Sequence, residues 1–194
     1  ILFLGFSSYH QTKIWENSLT LWNDVLEQYH NVPAAWNNRG NALKDEAGKE
    51  PDLEKSRKLF ERAINDYNNA IKLKPDHEKA FNNRGIAKKN IGVILQKQGK
   101  QKEADKYYKR ALKDYNKALS LNPNYDDAYS NRGNVKRLLR DMEGALKDYD
   151  KSIELKPYFA KAYSNRAATK IDLKRYDDAI KDLNKAISID PLFV

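Results

Sequence analysis

The chain has 194 residues, of which 40% are hydrophobic and 32% charged, with a formal net charge of +9. That composition supplies a layered core with solvated outer faces and excludes a protein buried in a membrane along most of its length. There is no cysteine, so a disulfide framework, a thiol nucleophile and a cysteine zinc site are all excluded.

Residues 1–6, ILFLGF, are almost wholly apolar but fall far short of the roughly 20 residues that a spanning helix needs. They read either as a terminus that packs on the first helices or as the cut end of a membrane helix that tethers the chain. Residues 14–29 then predict one amphipathic helix, with Ser18, Trp22 and Val25 on its packing side.

From residue 33 onward one phrase returns four times: WNNRGNA at Trp36, FNNRGIA at Phe81, YSNRGNV at Tyr129 and YSNRAAT at Tyr163. Each is answered by an alanine-led helical phrase ending in proline, at 63–75, 111–123, 145–157 and 179–191. Repetition on this scale predicts a stack of helical hairpins sharing one continuous core. The prolines cannot continue a helix and so mark the link to the next hairpin. The last two copies stand 34 residues apart, but the first three are separated by 45 and 48, leaving surpluses of 11 and 14. Both surpluses fall between the two helices of a hairpin. Their apolar residues, among them Leu53, Leu59, Phe60, Ile91, Ile94, Leu95 and Tyr108, keep helical spacing. Lengthened hairpins are predicted, with the turns displaced to residues 48–51 and 99–100.

The pattern resembles the tetratricopeptide repeat. From Tyr129 it reads Tyr129, Gly133, Ala145, Tyr149, Ser152 and Pro157, and from Tyr163 it reads Tyr163, Ala167, Ala179, Leu183, Ala186 and Pro191. The resemblance implies an all-α, right-handed solenoid of four repeats at about 33–77, 78–125, 126–159 and 160–194. An apolar stub and a degenerate capping half-repeat over residues 1–32 precede it. It further implies a protein-interaction scaffold, not an enzyme, that takes a peptide or protein segment in a concave groove lined by the first helix of each repeat. Mapped onto this sequence, the groove residues are Asn37, Asn41 and Lys44, then Lys79, Asn82 and Lys89, then Ser130, Asn134 and Arg137, and finally Lys161 and Ser164. Amides suit a peptide backbone, and the cations favour an acidic partner. Some members of the family clamp the terminal carboxylate of heat-shock chaperones. Asn131 and Lys161 fit that clamp, but Asn82, Ile86 and Asn165 replace its other members, so that ligand is not expected.

Trp15, Ser18, Leu21 and Trp22 resemble the junction that leads from the last membrane helix into repeats in O-mannosyltransferase-like polytopic membrane proteins. That resemblance implies an alternative role, the extracytoplasmic acceptor-binding or assembly module of a membrane glycosyltransferase-like enzyme. The location follows from the same question: the extracytoplasmic face of a membrane if the stub is a truncated span, the cytoplasm otherwise.

Catalysis, metals, cofactors and nucleic acid are not expected. There is no Gly-rich phosphate loop, His-Glu-x-x-His or Gly-x-Ser-x-Gly, and His10, His30 and His77 lack ligand spacing. The pairs Asp126/Asp127 and Asp177/Asp178 read as helix starts, where negative charge complements the dipole. The lysines are spread over every repeat among 27 acids, with no nucleic-acid motif. Two further expectations concern packing. Arg39, Arg84, Arg132 and Arg166 recur together with Asp66, Asp114, Asp148 and Asp182, which suggests an ion pair in every repeat. Tyr163, Ile171, Ile180, Leu183, Ile187, Leu192 and Phe193 are expected to include an open apolar face, a site of self-association or of cover by a following helix.

Overall fold

The structure, a computed structural model, describes residues 18–192. These form nine helices and no strand: α1 (Ser18–Gln28), α2 (Pro33–Lys49), α3 (Leu53–Leu73), α4 (Glu78–Lys97), α5 (Gln101–Leu121), α6 (Asp126–Leu138), α7 (Met142–Leu155), α8 (Ala160–Asp172) and α9 (Tyr176–Ile189). We call α2, α4, α6 and α8 the A helices and α3, α5, α7 and α9 the B helices. Each A helix packs on the B helix that follows it and on the helix before it, α1 serving in that place for α2. Among the described residues successive A helices also touch, whereas successive B helices do not. The stack therefore curves with its A helices on the inner side.

Helices α6 and α8 have 13 residues and α7 and α9 have 14. Helices α4 and α5 have 20 and 21, seven more each, and α2 and α3 have 17 and 21, four and seven more. The surpluses of 14 and 11 are thus taken up wholly as helix, and every A-to-B turn is three residues long. Seven residues make about two helical turns, so each face of a lengthened helix carries on in register.

The first turn differs slightly from expectation. Gly48 lies inside α2, and the turn is residues 50–52, where the Asp52 carboxylate accepts the N–H groups of Glu54 and Lys55 at 2.9 Å. The other three turns share one closure, in which a residue in the left-handed region follows the helix: Gly99 (φ 75°), Arg140 (φ 67°) and Lys174 (φ 59°). The N–H groups of Lys100, Asp141 and Arg175 then reach back to the carbonyls of Leu95, Lys136 and Lys170 at 2.8–2.9 Å.

Small residues set the approach of the A and B helices. A Cβ at Gly40, Gly85 or Gly133 would come within 2.7 Å of the rings of Tyr67, Tyr115 and Tyr149. In the last repeat both members of the pair change together, to Ala167 and Leu183. Gly92 and Tyr108 repeat the device within the lengthened part of α4 and α5, outside the recurring phrase.

The apolar stub, Trp15 and Phe193 lie outside the described residues. No described helix is long and apolar enough to cross a membrane. Helix α1 docks through Leu26, which is buried, with Trp22 and Val25 half-buried. Ser18, expected at a packing position, is exposed at the start of the helix.

Candidate functional site

One arginine per repeat ties three helices together. Arg39, Arg84, Arg132 and Arg166 reach from the A helix to Asp66, Asp114, Asp148 and Asp182 on the following B helix. Nε and Nη2 donate to the two carboxylate oxygens at 2.6–3.0 Å. Each guanidinium also lies over the ring three residues before it, Trp36, Phe81, Tyr129 or Tyr163, at 4.8–5.4 Å. Nη1 donates to the preceding helix, at Asn23, Asn68, Asn116 and Asp150, at 2.7–3.2 Å. Bidentate, charge-assisted bonds of this kind are strong and geometrically specific. Asn23 shows that α1 stands where a B helix would.

The lysine one turn after the arginine was not anticipated. Lys88, Lys136 and Lys170 add a second cation to Asp114, Asp148 and Asp182 at 2.7–2.8 Å, while the first repeat has Leu43 in that position. Its signal was present in the recurrence of Lys four residues after Arg. Burial alone would raise the Asp182 carboxyl, but hydrogen bonds from Arg166 and Lys170, with their charges, hold its pKa below the ordinary value.

The inner face does not present an open row of amides. Asn37, Asn82 and Ser130 are buried and accept from the next A helix: Asn83 Nδ2 to Asn37 Oδ1 and Asn131 Nδ2 to Asn82 Oδ1, both 3.1 Å, and Asn165 Nδ2 to Ser130 Oγ, 3.4 Å. These three are joints between repeats. Asn41 and Asn134 are half-buried and accept from the hydroxyls of Tyr67 and Tyr149 at 2.9 and 2.8 Å, leaving their NH2 groups free to donate. In the second repeat Ile86 holds this position, and the buried Tyr115 hydroxyl has no partner among the described residues.

The remaining predicted groups are mainly cationic. Lys44 pairs with Asp45 at 3.1 Å and Arg137 with Asp172 at 2.9 Å. Lys79 and Lys161 are exposed and Ser164 half-buried. Lys89 is half-buried and makes no ion pair among the described residues. Burial first, and then repulsion from Lys161, pushes its pKa down. One cation from α4 and one from α8 thus share a stretch of the inner face that spans α6. Among the described residues no group of three His, Asp or Glu gathers to hold a metal ion.

A tetratricopeptide-repeat model matches residues 126–159 and 160–193, and a second model of the same repeat matches 52–92 and 92–137. The second match runs from a B helix into the next A helix, half a repeat out of phase with the hairpins. No curated protein sequence matches the chain. Solved structures do. The thermophilic TPR protein TTC0263 of Thermus thermophilus is 19% identical over 98% of this chain and 90% of its own, with a TM-score of 0.74. MamA is 21% identical over 89% and 86%, with a TM-score of 0.64. The first TPR domain of human RPAP3 is 24% identical over 72% and 95%, with a TM-score of 0.53. At such identities the likeness is one of fold. Paired helices, the small-residue and aromatic contacts between them, and family models that together span residues 52–193 make this chain a member of the tetratricopeptide-repeat family.

Proposed function

We propose that this chain is a protein-interaction scaffold that holds an extended acidic peptide along the inner face of its A helices. Tetratricopeptide-repeat proteins are generally non-enzymatic scaffolds, and the finer assignment rests on side chains. Lys89 and Lys161 seat a carboxylate, and the free amide N–H groups of Asn41 and Asn134 donate to peptide carbonyls. Lys44, Lys79, Arg137 and Ser164 border the same face. The observation that carries this reading is Lys89, a half-buried ammonium with no carboxylate partner among the described residues and a second cation nearby. Such a charge weakens the free fold, and a bound anion relieves it.

The test is fluorescence anisotropy with a labelled peptide rich in Asp and Glu and its Asn/Gln counterpart. The acidic peptide should bind in a salt-sensitive way and its neutral counterpart weakly. Replacing Lys89 and Lys161 together by Met should weaken capture by about tenfold or more, since charge-assisted bonds are lost. Lys89→Met alone should raise the unfolding midpoint while weakening capture. Equal binding of both peptides, or undiminished capture by the double variant, would remove the inner face as an acidic-peptide site.

A further inference from the structure

The outer face of α5 is built almost wholly of cations. Lys102, Lys106, Lys109, Lys113 and Lys117 follow one another at intervals of three or four residues, and Arg110 lies beside them, so all six share one side of the helix. All six are exposed, and none forms an ion pair among the described residues. The Arg110 guanidinium lies over the Tyr107 ring at 5.3 Å, which steadies it without neutralising it. The acids of α5 are elsewhere. Asp114 is buried under Arg84 and Lys88, Asp105 accepts from Gln101 at 2.8 Å, and Glu103 stands at the margin of the stripe.

The other B helices, aligned on Ala63, Ala145 and Ala179 against Ala111, carry mixed charge on this face. At the places of Lys102 and Lys109, α3 has Glu54 and Glu61, which hold Arg57 between them at 2.6 Å. At the place of Lys109, α7 has Glu143 and α9 has Asp177. Lys102 and Lys106 belong to the stretch by which α5 outruns α7, so the lengthened hairpin is what extends the stripe, to about 22 Å at 1.5 Å per residue. Lys58 and Arg62 on α3 stand at the places of Lys106 and Arg110 and are likewise exposed and without ion pairs among the described residues, which carries the charge onto the neighbouring B helix. Like charges one helical turn apart weaken the free helix, and a counter-charge relieves them.

Three features select that counter-charge. Five of the six cations on α5 are lysines, whose compact ammonium lacks the planar fork with which arginine grips a phosphate. None of the large apolar side chains exposed among the described residues lies on α5, so nucleic-acid bases would find no open ring to stack on. The B helices lie on the outer side of the curve, so the stripe crowns a convex surface and lines no groove that tracks a strand. Anionic lipid headgroups suit all three: they move laterally to single ammonium groups, need no stacking, and form a surface that a convex face can meet.

We propose that the outer face of α5, with Lys58 and Arg62 of α3, docks on a bilayer surface that carries anionic lipid headgroups. With no exposed large apolar side chain on α5 to insert, the contact is electrostatic and reversed by salt. The inner face points away from such a surface, so this docking is independent of peptide capture.

Vesicle sedimentation is the test. The chain should bind vesicles of phosphatidylcholine with about one-third phosphatidylserine but not phosphatidylcholine alone, and about 0.5 M NaCl should release it. Each cation near an anionic surface adds about fivefold, so Lys109→Gln, Lys113→Gln and Lys117→Gln together should weaken binding by about a hundredfold without loss of helicity. Removing the same charge elsewhere, by Lys49→Gln, Lys74→Gln and Lys174→Gln, should cost far less. The Lys89→Met, Lys161→Met variant should bind vesicles as the unaltered chain does, which separates this face from the peptide site. Absence of binding, equal binding to neutral vesicles, or equal losses in the two triple variants would each overturn the proposal. A duplex oligonucleotide bound more tightly than the vesicles, through the same three lysines, would also overturn it and make the stripe a nucleic-acid surface.

Discussion

Four tyrosines, Tyr67, Tyr108, Tyr115 and Tyr149, are fully buried against a glycine of the facing helix, but their hydroxyls end differently. Three donate to an amide: Tyr67 to Asn41, Tyr149 to Asn134, and Tyr108 to Gln96 at 2.7 Å. The fourth, Tyr115, faces a position held by Ile86 and donates to nothing described. A buried hydroxyl without a partner costs stability, whereas a paired one adds modestly to it. Tyr67→Phe and Tyr149→Phe should therefore each lower the unfolding free energy by about 1 kcal/mol, and Tyr115→Phe should leave it unchanged or raise it. Urea midpoints of the three variants decide the matter, and an equal loss in all three would mean that Tyr115 has a partner after all. The same residues bear on the proposed groove, since Asn41 and Asn134 are held in place by the hydroxyls they accept from.

The arginine tethers act between elements, and their strength should show in acid. Asp182 is held below its ordinary carboxyl pKa by Arg166 and Lys170, so its contribution is complete above the unfolded value near ~4 and is lost as pH falls through the lower folded value. Asp182→Asn should cost about 2 kcal/mol at neutral pH, because two cations are left around a largely buried neutral group. Its stability should then fall less steeply than that of the unaltered chain below about pH 4. Parallel acid-denaturation curves would show that the carboxylate adds nothing beyond shape. The pairing was legible in the sequence because Arg and Asp recur together in every repeat, and helix lengthening was legible because the added residues keep the apolar period. The inner face was less so. The family's groove positions, mapped onto this sequence, fall on the A helices at Asn37, Asn82 and Ser130, but such a mapping is made one helix at a time. It does not reveal that the next A helix comes close enough to use their acceptors. Gly48 misled for a related reason: an exposed glycine is tolerated inside a long helix when packing elsewhere supports it. The tether to a membrane rested on residues 1–6 and, like the enzyme-module reading, on Trp15, Ser18, Leu21 and Trp22; of these only Ser18, Leu21 and Trp22 are described, and they add support to neither.

Across the whole molecule the core is uneven. The main cluster of buried apolar residues runs from Leu43 to Val135 and draws its members from α2 to α6, with Phe60, Ile91, Leu95 and Tyr108 in the lengthened hairpins. The buried apolar side chains of α8 and α9 are all alanines: Ala160, Ala162, Ala167, Ala179 and Ala186. In a repeat stack, stability is a sum of each unit's own contribution and its contacts with neighbours, so a unit with a small core and one uncovered face opens first. Native-state hydrogen exchange should accordingly find the slowest amides in α4 and α5, and, among α2 to α9, the fastest in α8 and α9. Ile91→Ala, which empties a site at the centre of the long hairpins, should lower the protection of the slowest amides by about 3 kcal/mol. Exchange from α8 and α9 should barely change, because those helices already open without disturbing the centre. Uniform protection along the chain, or equal losses in α5 and α9, would instead make the stack a single cooperative unit.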